Sequence, residues 1–131
     1  MSRIDELIRD RLSKDGQVLN LKAQFIREIG TRELVQKEEL KNLRALDLSQ
    51  NDIGDDGVKA LAEAPMLSNL RTLNLAANRI GDAGANYLAE SKCLRNLRAV
   101  QLVANDISEE GEKVLRNSLN LMSLTSLKFR V

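Results

Sequence analysis

Residues 43–57 read LRALDLSQNDIGDDG, residues 70–84 read LRTLNLAANRIGDAG, and residues 97–111 read LRAVQLVANDISEEG. The three stretches start 27 residues apart. A fixed period of that size marks a stack of similar units, each of which cannot bury its apolar face alone. The phases extend well past the quoted stretches. Leu40, Leu67, Leu94 and Leu121 share one phase, and Leu48, Leu75, Leu102 and Phe129 another. Asn51, Asn78 and Asn105 form a third, followed by Ile53, Ile80 and Ile107, then Gly57, Gly84 and Gly111, then Leu61, Leu88 and Leu115. One period upstream lies a degenerate copy: Leu19, Leu21, Ile26, Gly30 and Leu34 are in phase, with Gln24 in the Asn place. One period downstream a strand-only unit remains at Leu124, Leu127 and Phe129. The chain therefore reads as about four repeats plus a final strand.

Each unit combines two periodicities. In Leu46-Asp47-Leu48 apolar and polar residues alternate with period 2, as in a strand with one buried face. The Asn that follows can bond backbone groups where the strand ends. Asp55, Asp82 and Glu109 then stand where acidic side chains favour a helix start, by capping and by the dipole. Val58 and Leu61, like Ala85 and Leu88, are spaced for one helical face. Pro65 closes the second helix before Leu67.

The pattern L-x-x-L-x-L-x-x-N-x-I-G resembles the leucine-rich repeat family, and the 27-residue period with a helical second half resembles its ribonuclease-inhibitor-like subclass. The resemblance spans roughly residues 16–131. It implies an α/β solenoid, a partial horseshoe, with a parallel β-sheet on the concave face and helices on the convex face. It also implies that the Asn residues stack as a buried ladder.

The composition agrees with that architecture. Leucine makes up 23 of 131 residues, while Phe25, Tyr87 and Phe129 are the only aromatics. Stacked leucines, each contributing roughly 1.5–3 kcal/mol when fully buried, replace an aromatic core. Residues 1–15 read as an N-terminal capping helix, with Ile4, Leu7, Ile8 and Leu12 on one stripe, Ser2 as N-cap and Gly16 as terminator. Residues 16–131 form the repeat domain. The last strand has no following cap, and an open strand edge is a template for pairing. Lys128, Phe129 and Arg130 thus mark a possible assembly edge, serving either a homodimer or the continuation of a longer chain.

Twenty Lys and Arg against nineteen Asp and Glu give a net charge of +1, which argues against a nucleic-acid partner. The chain has no His, so the catalytic arrangements and metal sites built on His are excluded, and its single Cys cannot form a disulfide framework. No cofactor is expected. The chain opens without the apolar stretch of a signal peptide and has no membrane span, so the expected partner is not a membrane and the expected location is the cytoplasm. The spacing of Asp52, Asp55 and Asp56 departs from a calcium loop and fits helix capping instead. Cys93 and Tyr87 read as packing residues.

The side chains expected on the concave sheet are small and polar, with no converging carboxylates and no nucleophile–base pair. The expected function is therefore non-enzymatic: protein–protein interaction through the concave sheet or the terminal surfaces. The expected partner-binding residues are Arg44, Asp47, Arg71, Asn74, Arg98 and Gln101, with Arg44, Arg71 and Arg98 forming a ladder at the strand entrance. Two alternatives stand beside that reading. One is a GTPase regulator of the activating-protein type, by family analogy. The other is an assembly module working through the last strand.

Overall fold

The computed structural model describes residues 1–131. Five three-residue strands form one parallel sheet in chain order: β1 (Val18–Asn20), β2 (Ala45–Asp47), β3 (Thr72–Asn74), β4 (Ala99–Gln101) and β5 (Ser126–Lys128). Leu19, Leu46, Leu73, Val100 and Leu127 are cross-strand partners in succession, so the register equals the sequence period. Helices α2 (Arg27–Leu34), α3 (Gly54–Ala62), α4 (Asp82–Ala89) and α5 (Glu109–Arg116) alternate with the strands and pack side by side. Short 3-10 turns at Glu38–Leu40 and Pro65–Leu67 lead two of the helices back toward the sheet. The expected alternation of helix and parallel strand is observed.

The core is a stack of leucine rows between sheet and helices. Leu40, Leu67 and Leu94, Leu43, Leu70 and Leu97, and Leu48 and Leu75 are wholly buried. The first repeat keeps this core although Gln24 has replaced Asn. The amide oxygen of Asn51 reaches back one repeat and accepts from Gln24 N–H (2.9 Å) and Ile26 N–H (3.1 Å).

That link recurs. Asn78 Oδ1 accepts from the Asn51 and Ile53 amides, and Asn105 Oδ1 from those of Asn78 and Ile80. Each Asn Nδ2 also donates to a carbonyl of the preceding repeat: Leu21, Leu48 and Leu75. The ladder holds a backbone that resists its own turn. Gln50 (φ 57°), Asp52 (φ 53°), Ala77 (φ 56°) and Arg79 (φ 59°) all lie in the left-handed region that non-glycine residues avoid.

The helix starts depart from expectation. Asp55 does not cap its own helix. Its Oδ1 accepts from the Gly81 (2.8 Å) and Gly84 (3.0 Å) amides, which begin α4 in the next repeat. Asp82 likewise accepts from the Ser108 amide (2.8 Å) ahead of α5, and Ser108 in turn caps α5. The reason is stacking, because the first turn of each helix lies beside the start of the following one. The recurrent glycines make room for this. A Cβ on Gly84 would stand 2.6 Å from Ile80 Cγ2 and 2.7 Å from Asp55 Oδ1.

At the N-terminus, α1 (Arg3–Arg11) starts on a Ser2–Asp5 capping box and buries Ile4 and Ile8. Lys37 holds it down, with Nζ 2.8 Å from Asp5 and 3.4 Å from Glu33. That ammonium is the main reason the Asp5 carboxyl is lowered to about 2. Gly16 does not end this helix as expected. The helix stops at Arg11, and Gly16 (φ 73°) instead closes a turn on the Ser13 carbonyl just before β1.

Candidate protein-binding surface

Three-residue strands leave only two exposed rows across the sheet. One is Val18, Ala45, Thr72, Ala99 and Ser126, and the other is Asn20, Asp47, Asn74, Gln101 and Lys128. Together with Leu19, Leu46, Leu73 and Val100 they line a concave recess of about 370 Å³. Ser49, two residues beyond Asp47, is buried and donates to Asp47 Oδ1 (2.6 Å), because the strand ends at Asp47 and the chain turns inward.

The long polar row shares one local geometry. Asn20, Asp47, Asn74 and Gln101 each accept a hydrogen bond from the amide two residues downstream. These bonds pin the side chains where β-pairing stops. They use one oxygen of each group, and the Asn20, Asn74 and Gln101 –NH2 groups remain as donors toward the recess. Asp47 is the one anion of the row and Lys128 the one cation.

The arginines occupy a different surface. Arg44, Arg71 and Arg98 line a second recess of about 340 Å³ with Asp15, Gln17, Asn42, Asn69, Asn96 and Ser123. The six expected partner-binding residues therefore divide into two sets: Asp47, Asn74 and Gln101 on the sheet, and the three arginines at the strand entrance. Asp47 does not neutralise the arginines, since its carboxylate is turned to Ser49. No ion pair of the molecule involves Arg44, Arg71 or Arg98. Arg44, and next Arg98, depress the central Arg71 below its ordinary value.

Asn42, Asn69 and Asn96 are a component missed in the sequence reading. Their shared 27-residue phase is the signal in the sequence that points to them. Asn69 and Asn96 donate their Nδ2 to the Lys41 (2.9 Å) and Ser68 (2.8 Å) carbonyls of the preceding repeat, which orients both amides.

At the last strand, Lys128 lines the concave recess, whereas Arg130 turns away from it. Its guanidinium forks onto Glu112 of α5 at 2.8 and 3.0 Å, and holds that carboxyl below the usual range. Arg116 lies 5.4 Å from the centre of the Phe129 ring. Both contacts clamp the end of β5 to α5.

No group of three or more His, Cys, Asp or Glu converges to hold a metal ion. Asp52 pairs with Arg79 (3.4 Å) while Asp55 serves α4, so the acidic cluster of the sequence is divided between tasks. No helix is long and apolar enough to cross a membrane. Cys93 and Tyr87 are half-buried, with Lys59 Nζ 5.8 Å from the Tyr87 ring centre.

The family model of the Leucine Rich repeat matches residues 39–62 and 67–89. The fold matches the tropomodulin C-terminal domain of Caenorhabditis elegans with a TM-score of 0.72 over 99% of this chain and 84% of that one. The fold is that of a leucine-rich repeat solenoid. Sequence identity to the tropomodulin domain is 15%, so the likeness concerns the leucine-rich repeat fold alone. No curated protein matches the sequence.

Proposed function

We propose that this leucine-rich repeat solenoid is a non-enzymatic module that binds a protein partner. One observation carries the reading. The concave recess presents a row of side chains pinned at the register of the sheet, with free amide donors from Asn20, Asn74 and Gln101 and one charge of each sign. Side chains already fixed in one geometry lose little freedom on binding. The absence of His from the chain and of paired carboxylates from the recess supports a binding role over a catalytic one. The 27-residue units with one helix each support the ribonuclease-inhibitor-like subclass.

The test is affinity capture with the wild-type chain and an Asn74→Arg/Gln101→Arg variant of matched circular dichroism. Partners lost by the variant support the concave site, and an unchanged partner set removes it. A second reading, assembly through β5, is favoured by the exposed Leu119 and Met122 and the half-buried Leu124 and Leu127 beside that strand. Light scattering at high concentration tests it, and a monomeric mass refutes it.

A further inference from the structure

The second recess has an unusual balance of hydrogen-bonding groups. It is lined by nine polar residues and no apolar one. The three guanidinium groups carry five N–H donors each, and none of them meets a carboxylate of the protein. The backbones of the three residues are stacked. Arg71 N–H donates to the Arg44 carbonyl (2.8 Å) and Arg98 N–H to the Arg71 carbonyl (2.7 Å). The three like charges repel one another, and Arg44 and then Arg98 hold the central Arg71 below its ordinary value. An anion lying along the stack relieves that repulsion.

Beside the guanidinium row runs an amide row that adds acceptors. Asn69 and Asn96 each place one Nδ2 hydrogen on a backbone carbonyl, and their Oδ1 atoms remain as acceptors. A ligand that satisfies both rows must offer negative charge on one side and N–H donors on the other. We propose that this recess binds a short acidic peptide segment, its carboxylates on Arg44, Arg71 and Arg98 and its backbone amides on Asn69 and Asn96. The stack covers two inter-strand steps, roughly 10 Å, which about three extended residues can follow. A phosphodiester backbone supplies the charge but no donor for the asparagines. The lining also contains no aromatic side chain for a base to stack on. Asp15 bounds one end of the recess and sets a limit to an acidic run there.

The proposal rests on the protein-binding reading only in taking the ligand to be a polypeptide, and its test does not require the concave face. The probe is a fluorescein-labelled peptide with four consecutive glutamates between glycines, followed by anisotropy at low salt and at about 0.15 M salt. We expect saturable binding that weakens with salt. It should fall tenfold or more in Arg71→Glu and in the milder Arg44→Gln/Arg98→Gln variant, and stay unchanged in Asn74→Arg. A version of the peptide N-methylated at its backbone amides should also bind more weakly. Four results overturn the proposal: no binding above a glutamine peptide at low salt, equal binding by the arginine variants, equal binding of the N-methylated peptide, or equal competition by an oligonucleotide of the same charge. Failure of the peptide to bind leaves the concave reading standing. Loss of binding in Asn74→Arg would instead assign the peptide to the concave face and remove it from the arginine recess.

Discussion

Replacing Asn78 by alanine should be among the most damaging single changes in this molecule. Its side chain is fully buried. Oδ1 accepts from the Asn51 (3.0 Å) and Ile53 (3.2 Å) amides, and Nδ2 donates to the Leu48 (2.9 Å) and Ala76 (3.2 Å) carbonyls. Alanine leaves the Asn51 and Ile53 amides without a partner in the interior, while the Leu48 and Ala76 carbonyls keep Asn51 Nδ2 and the Gln50 amide. A buried group that loses its partner costs about 1–3 kcal/mol. The two donors alone then give about 2–6 kcal/mol, against a total stability of about 5–15 kcal/mol for a domain. Urea denaturation followed by circular dichroism measures the loss, provided the slope of the transition stays constant. Gln24→Ala is the internal control. It occupies the same phase, yet its side chain makes a single hydrogen bond, to the Lys22 carbonyl, and the Asn51 contact is to its backbone. That change should cost about 0.5 kcal/mol or less. A loss below about 1 kcal/mol for Asn78→Ala, or equal losses at the two positions, would refute the ladder as the element that holds the turns.

Gly84→Ala should destabilise by about 1–3 kcal/mol through overpacking, because the new methyl meets Ile80 and the Asp55 carboxylate. Gly81→Ala, whose nearest neighbour would be 3.6 Å away, should be nearly neutral in the same denaturation assay. The Asp5 carboxyl lies below its unfolded value, so its contribution is present above the usual carboxylate range and is lost as pH falls toward about 2. Thermal melts should therefore show Asp5→Asn less stable than wild type near neutral pH, with the difference closing over that acidic window. A difference independent of pH would separate Asp5 from the Lys37 contact. Arg130→Ala should release β5 from α5. Hydrogen exchange should then speed up at the Leu102 amide, which donates to the Lys128 carbonyl, and stay slow at the Leu48 amide, which donates to the Asn74 carbonyl. Equal protection of Leu102 in both proteins would mean that the Glu112 clamp does not hold the strand.

The period alone made most of the architecture readable. Leu19, Leu46, Leu73, Val100 and Leu127 stand 27 residues apart and pair across the sheet in that order, because a solenoid translates sequence phase into spatial neighbourhood. The period does not say which repeat a side chain serves. Asp55 looked like a cap for its own helix and caps the next one. Arg130 read as part of an open strand edge, yet its side chain folds back onto Glu112 of α5. The arginines and the sheet residues appeared to form one surface. Their separation depends on the turn between Asn42 and Ala45, a matter of backbone direction that spacing does not encode.

The two kinds of link between repeats run in opposite directions. Each asparagine reaches toward the N-terminus and each aspartate toward the C-terminus, so neighbouring units are fastened reciprocally. This sets a rule for the chain's evolution. Losing a single residue within the turn from Asn51 to Asp55 would disturb both fastenings at once. Change in length at the joints is then accommodated as whole blocks of one period, and the molecule can be lengthened or shortened by duplication or loss of entire repeats without altering the joints that remain.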